Sequence, residues 1–331
     1  MPAAQFYNID DTSLPARPLH LAIGVFDGVH LGHRAVIDAA LRAARRGGGL
    51  AGALTFAPHP SAVMRPGNPA RLICDLETRA RLLAATGIDV VIAQPFTRAL
   101  AAIEPEDFLP LLHGRLPRLA TVCVGDGWRF GSGRRGDLAL LAAQAEKLGL
   151  AVEGVPGVSR DGAPVSSTRV RAFIEAGEIA KANALLGYAY FSEGVVTPGK
   201  GLGRSLGFPT LNLAWQPELR PRLGVYAATV RGVAGANPGE AHAAEHAVKH
   251  AVAHAAVVNY GLRPTFEDSS RPRVEAHLLG PCPFGAGDTI RVEWLHFLRP
   301  EKKFPSAGGL VEQIASDRAA AGAFLGRPPC A

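Results

Sequence analysis

The stretch that most constrains this chain is LAIGVFDGVHLGHRAVIDAALRAARR, residues 21–46, where an apolar run ends in a glycine-punctuated turn and passes directly into a helical pattern. Residues 21–26 have the length and apolarity of a buried strand. Val36, Ile37, Ala40 and Leu41 then recur at helical spacing, with Arg42, Arg45 and Arg46 toward the end. Asp27 to His33 therefore reads as a strand-to-helix crossing. Gly28 and Gly32 let the backbone approach a ligand, and the free N–H groups and positive dipole end of the helix favour an anion, with phosphate the natural occupant. His30 and His33, three apart, lie on one side of the first helical turn and can converge on one group. Two imidazole donors there suit a triphosphate, because nucleotidyl transfer needs in-line positioning and donors aimed at charge growing on phosphate oxygens. Histidines that only cap or pack are the competing reading of an isolated H-x-G-H string; the position after a buried strand favours the site.

At 331 residues the chain is long enough for two domains with their own cores, and 47% hydrophobic with 19% charged is ordinary for a soluble globular protein. The net charge of +6 comes from Arg and Lys dispersed without interleaved aromatics, which fits phosphorylated small molecules or a solvated basic surface and gives no reason to invoke nucleic acid. Cys74, Cys123, Cys282 and Cys330 are far apart and form no C-x-x-C pair, so neither a zinc site nor a disulfide framework is indicated, and a reducing cytoplasm is expected. The first 18 residues carry acids and prolines, and no apolar run reaches the roughly 18 residues of a membrane span. A soluble, unexported protein is expected.

In chain order, residues 50–56 read as a second buried strand, broken by Pro58 and Pro60. His59 follows at its C-terminal end, where ligands bind in doubly wound sheets; a loop-ordering role is equally open. Helices over 76–86 and 105–116 and strands over 88–93 and 119–124 continue the alternating order of a parallel sheet. The glycines and arginines of 125–137 make a flexible basic loop suited to phosphate or a neighbouring ligand. Ser166, Ser167 and Thr168 are N-cap candidates, and with Arg171 one turn later they build a second anion site. Residues 170–187 read as two short helices leading to a boundary near Gly187. Short strands bounded by glycine and proline then replace the alternation, over 189–196, 225–232, 255–260, 273–279 and 289–297, which predicts a separate all-β barrel or sandwich.

The chemistry of this second half concentrates in VTPGKGLGRSLGFPTLNL, residues 196–213. Its early part, with Gly201, Gly203 and Arg204, can wrap a nucleotide phosphate; Thr210 and Asn212, two apart, project from one face of an extended segment. A hydroxyl and an amide so placed can share a magnesium ion with phosphate oxygens. Glu275 lies among apolar neighbours, so its carboxylate is expected to be paired or functional. Leu310, Val311 and Ile314 give the last helix an apolar stripe that reads as packing on the barrel, which leaves the oligomeric state open. In the alanine-rich segment 235–256, His242, His246, His250 and His254 recur every four residues. On a helix they form one stripe able to bind Zn²⁺ or Ni²⁺; a tolerated insertion in a barrel loop is the favoured reading.

GVFDGVHLGH resembles the HxGH motif of nucleotidyltransferases in the form found in the bacterial bifunctional riboflavin kinase/FMN adenylyltransferase (FAD synthetase) family. The segments VGDGWRFGSGRRGD, VSSTRVR, GLGRSLGFPTLN, NYGLRPTF and RVEAHLL resemble further motifs of that family, and the resemblance covers nearly the whole chain outside 235–256. It implies a Rossmann-like α/β nucleotidyltransferase domain over 1–186, then a six-stranded barrel-like riboflavin kinase domain with a C-terminal helix over 187–331. The implied substrates are ATP, riboflavin and FMN, with Mg²⁺ accompanying ATP. It assigns His30 and His33 to adenylyl transfer and Glu275 to accepting the riboflavin 5′-hydroxyl proton. Gly24, Phe26, Asp27, Gly28, Gly32, Ser166, Ser167, Thr168 and Arg171, and in the kinase half Gly201, Gly203, Arg204, Thr210 and Asn212, fall to ATP and its phosphates. His59, Arg129, Phe130 and Asn259 fall to the flavin. Ala57 and Gly127 stand where that family carries an acid, or at the second position an acid or Asn. A kinase-only enzyme, and a flavin- or nucleotide-binding regulator without catalysis, are the alternatives at this point.

Overall fold

The computed structural model describes residues 5–10, 14–199, 202–233, 252–262 and 272–326. Backbone contacts divide the chain into two compact units, Met1–Arg169 and Val170–Ala331.

The first unit is built on six parallel strands: β1 (Gln5–Tyr7), β2 (Leu19–Ile23), β3 (Leu50–Ala57), β4 (Val90–Pro95), β5 (Leu119–Gly125) and β6 (Ala151–Val155). Their order is β1-β4-β3-β2-β5-β6. β2, β3 and β5 read as continuous apolar runs because both of their faces are covered. On one face Ala22, Ala53 and Cys123 pack with Ile37 and Ala40 of α1 (Leu31–Gly47). On the other, Leu21, Leu54 and Val122 pack with Leu109 of α5 (Pro105–Arg115) and Leu141 of α6 (Leu138–Leu148). Shorter helices α2 (Pro60–Met64), α3 (Leu76–Ala84) and α4 (Arg98–Ala101) complete the connections. Because β3 lies on one side of β2 and β5 on the other, strand order reverses at β2, and the crevice beyond their C-terminal ends is where doubly wound sheets bind ligands. β1 and β6, which the sequence did not signal, are edge strands, β1 of three residues and β6 of mixed polarity.

β2 stops at Ile23, three residues before the apolar run does, because the chain turns at Phe26 into a left-handed conformation with φ +53°. A buried cation secures that end. The Arg79 guanidinium, 1% exposed, donates from Nη1 to the carbonyls of Val25 (3.1 Å) and Phe56 (2.9 Å) and to Thr55 Oγ1 (3.2 Å), tying the end of β3 to the residues just past β2.

A small hairpin, β7 (Ser159–Arg160) with β8 (Ala163–Pro164), precedes α7 (Ser167–Ala176), which runs across the division between units, and α8 (Ile179–Leu186). The second unit is a closed antiparallel barrel in the order β10-β13-β12-β11-β14-β9. Its strands are β9 (Phe191–Thr197), β10 (Leu211–Leu213), β11 (Gly224–Gly232), β12 (His254–Gly261), β13 (Arg273–Leu278) and β14 (Thr289–Arg299), with a single helical turn, α9 (Leu202–Ser205), before β10. Tyr226, Tyr260 and Trp294 fill the inside, the Tyr226 ring edge-on to Trp294 at 4.8 Å; burial pushes the Tyr260 hydroxyl up to about 12. Outside, Ala227, Ala255, Val257 and Leu279 pack with Ala321 of the closing helix α10 (Ala307–Phe324). Leu310, Val311 and Ile314, the stripe expected to seat that helix, are only half-buried. Its polar anchor is Asp317, whose carboxylate accepts from Arg299 Nε at 2.8 Å and Nη2 at 2.6 Å at the end of β14.

Of the four histidines spaced four apart, one is described. His254 is the first residue of β12, opposite Val230, because strand pairing with β11 claims its backbone; His242, His246 and His250 lie outside the described residues. No described helix is long and apolar enough to cross a membrane. Cys74, Cys123 and Cys282 are free thiols, and burial pushes the first two up to about 12, which leaves both unreactive at neutral pH.

Removing one partner of a buried ion pair strands the other, so Asp317→Ala should destabilise the barrel by about 3 kcal/mol, measured as a lower denaturation midpoint. His277 of β13 is buried and donates from Nδ1 to the Pro209 carbonyl at 2.8 Å; burial holds its pKa below 6.5. The unfolded chain thus binds this proton first on acidification. The contribution is intact above about pH 6.5 and is lost as the pH falls below it, so His277→Gln should flatten the decline of thermal midpoint between about pH 6.5 and 5.

Candidate active sites

In the first unit the turn between β2 and α1 sits at the reversal of strand order. Phe26, Gly28 and Val29 have φ of +53°, +78° and +38°. For the two non-glycine residues this costs about 1–3 kcal/mol each, a strain that concentrates at ligand-binding turns. At Gly28 a Cβ would be strained and would also come within 2.9 Å of Ile73. The Asp27 carboxylate points into the protein, accepting from the amides of Ile73 (3.0 Å) and Cys74 (3.3 Å), while Ser167 Oγ donates to the Asp27 carbonyl at 3.1 Å. Asp27 therefore shapes the turn. The Gly24 amide donates to the Leu54 carbonyl at 3.1 Å, and Gly32 packs under the His30 ring.

His30 is the N-cap of α1: its Nδ1 accepts from the His33 amide at 3.2 Å, which puts its ring proton on Nε2. The two imidazoles converge by stacking, with centroids 3.6 Å apart and planes at 15°, and the Phe26 ring meets His33 edge-on at 5.3 Å. Rings held this way present their remaining polar atoms as a fixed pair.

The other predicted residues of this unit line the same C-terminal ends. His59 follows β3 and caps α2, its Nδ1 accepting from the Ser61 amide at 3.1 Å and bonding Ser61 Oγ at 2.8 Å, so the loop-ordering role is realised. After β5, Trp128 stacks on the buried Phe130 at 4.8 Å, and Phe108 packs against both. Arg129 pairs with Asp137 at 3.0 Å; the Leu140 amide first, and then Arg129, hold that carboxyl below its usual range. Ser166 Oγ accepts from the Arg169 amide and so caps α7. Arg169 is consumed locally, donating to the carbonyls of Arg160, Ala163 and Pro164, whereas Arg171 falls in the second unit on the same helix as Thr168.

The barrel site is a row of side chains assembled by strand register. Thr197 of β9 lies opposite Asn212 of β10, Asn212 opposite Glu275 of β13, and Glu275 opposite Asn259 of β12. Directly opposed residues share a face with Cβ atoms about 5 Å apart, so four polar side chains from four adjacent strands form one line. Thr197 was not foreseen. Gly199 is required by close approach: a Cβ there would lie 2.3 Å from Asn212 Nδ2. Gly203 is pressed against the Phe208 carbonyl, so the segment of α9 folds back over Thr210, whose Oγ1 lies 3.4 Å from the position of a Gly203 Cβ. The backbone of Arg204 belongs to α9, and Gly201 lies outside the described residues. Beside the row opens a pocket of about 420 Å³, lined by Gly207, Pro209, His277, Cys282 and Arg318 among others. His277 and Arg318 line this pocket and were not singled out from sequence; only the i, i+2 spacing of His277 from Glu275 could have signalled the first.

Two family models match the chain, FAD synthetase over residues 14–169 and riboflavin kinase over 186–325. The bifunctional riboflavin kinase/FMN adenylyltransferase of Escherichia coli strain K12 is 33% identical over 306 residues, covering 92% of each chain. The protein of the same name from Bacillus subtilis is 30% identical over 303 residues, covering 90% of each. A crystal structure described as a macrolide-efflux protein from Streptococcus pneumoniae superposes with a TM-score of 0.82 at 25% identity, over 96% of this chain and 98% of that one. Two site-bearing units, each matched by its own family model, and relatives aligned nearly end to end leave one conclusion: the chain belongs to the bifunctional riboflavin kinase/FMN adenylyltransferase family.

Proposed function

We propose that this chain makes both flavin nucleotides, residues 187–331 phosphorylating riboflavin with ATP to give FMN and residues 1–186 transferring AMP from a second ATP to FMN to give FAD and pyrophosphate. The observation that carries this reading is that each of the two compact units is spanned by its own family model, FAD synthetase over 14–169 and riboflavin kinase over 186–325.

In the kinase half, Glu275 accepts the proton of the riboflavin 5′-hydroxyl as that oxygen attacks the γ-phosphorus of ATP, and ADP leaves with the bridging oxygen. Asn259, next along the row, orients the flavin side. Thr210 and Asn212 offer a hydroxyl and an amide oxygen, hard donors that fit Mg²⁺ held mainly by phosphate oxygens. That ion supplies charge neutralisation on the transferring phosphoryl group. Gly203 and Arg204 belong to the segment placed over the phosphates, as does Gly201 by its position in the sequence, and the pocket bounded by Pro209, His277 and Arg318 continues the nucleotide site. In the adenylyltransferase half, an FMN phosphate oxygen attacks the α-phosphorus and pyrophosphate departs. His30 and His33 donate to phosphate oxygens as charge grows there, with the strained turn from Gly24 to Gly32 and the hydroxyls of Ser166, Ser167 and Thr168 around them. The Trp128–Phe130 stack, Arg129 and His59 flank the flavin.

The departures at Ala57 and Gly127 leave this framework whole. The Ala57 carbonyl accepts from the Phe96 amide at 3.1 Å and completes the β3–β4 edge, and Gly127 stands in open space.

Incubation with riboflavin, ATP and Mg²⁺ should yield FMN and then FAD by chromatography; FMN alone would reduce the reading to a kinase, and no product would leave a binding protein. Glu275→Gln should lower FMN formation at least about 100-fold and spare adenylylation of supplied FMN, whereas His30→Ala should do the reverse. Either variant losing both activities would refute two separate sites. Gly199→Ala, which displaces Asn212, should cost the kinase about tenfold with adenylylation intact.

A further inference from the structure

The barrel pocket carries a single charge. Of its lining side chains only Arg318 is a permanent cation, and burial lowers the pKa of His277. Arg318 has no carboxylate partner among the described residues. The nearest candidate in sequence, Asp317, is committed to Arg299 at 2.6 and 2.8 Å and also accepts from Gln313 at 3.0 Å. The Arg318 Nε is buried without a hydrogen-bond partner. The guanidinium lies over the Phe208 ring at 5.6 Å, and Phe208 meets His277 edge-on at 5.6 Å, so the cation is stacked against the segment that leads into Thr210. A half-buried cation with a buried, unsatisfied Nε and no carboxylate partner among the described residues is complementary to an anion.

We infer that Arg318, on the closing helix, is a nucleotide-specificity residue of the kinase half that binds the polyphosphate chain of ATP. The inference rests on reading the barrel as the kinase. Arg318 supplies charge-assisted hydrogen bonds that favour nucleotides with more phosphates. The Arg299–Asp317 pair fixes the helix turn that carries it.

The test uses the full chain with Arg318→Ala, Arg318→Lys and Arg318→Met. Riboflavin phosphorylation gives KM for ATP, KM for riboflavin and kcat, and calorimetry with Mg-ADP and with AMP gives affinity without turnover. Arg318→Ala and Arg318→Met should both raise KM for ATP by about tenfold or more while KM for riboflavin and kcat stay within about twofold. Affinity for ADP should fall by a clearly larger factor than affinity for AMP, and Arg318→Lys should recover most of the loss. Met keeps the apolar stem over Phe208, so wild-type behaviour in Arg318→Met would assign the residue to packing and overturn the inference. Equal losses for ADP and AMP would overturn it as well. Wild-type protein that forms no FMN yet loses ADP affinity on Arg318→Met would remove the kinase reading and keep the phosphate site; no loss in either measurement would remove the site alone.

Discussion

Three residues close the barrel. Leu211 to Leu213 pair with β13 on one side and β9 on the other, and without that short strand Asn212 would not stand opposite Glu275. A barrel has no free edge, so its backbone groups are satisfied internally and its register cannot slip by one residue without turning every side chain to the other face. The polar row therefore inherits its precision from main-chain hydrogen bonding. Gly199 and Gly203 are where the preceding segment presses so close to Asn212 and the Phe208 carbonyl that no side chain fits.

The adenylyltransferase unit reaches the same end by different means. Its ligand-facing groups stand on loops at the C-terminal ends of parallel strands, where no ladder sets their positions, and buried polar contacts take over. Arg79 ties the end of β3 to the chain just past β2, Asp27 grips the amides of Ile73 and Cys74, and His30 caps α1 with the nitrogen that faces its own helix. Each uses a polar group that would be costly to bury unpaired, so the strained φ values of Phe26 and Val29 are held by surroundings that over-determine them.

The closing helix links stability to chemistry in the barrel. Asp317 and Arg318 are adjacent, yet one is locked to the end of β14 and the other lines the pocket beside the polar row, so the buried pair sets the orientation of the residue beside it. That helix is seated by this ion pair and by the small Ala321 against a patch of alanines and valines, so its larger apolar residues Leu310, Val311 and Ile314 stay half-buried.

Local pattern alone revealed the alternating parallel sheet, five of the six barrel strands, the turn bearing His30 and His33, and Thr210, Asn212 and Glu275. Those features depend on neighbours in sequence: apolar periodicity, glycines where backbone must approach, and polar residues at spacings that share a face. The three-residue β10, the edge strands β1 and β6, the strand at His254, the inward-turned carboxylate of Asp27, and the arrival of Thr197, His277 and Arg318 at the barrel site came only with the tertiary structure. Each of these is settled by a partner distant in the chain, through strand pairing, a buried hydrogen bond or a helix laid across a sheet, and no periodicity within a short window carries that information.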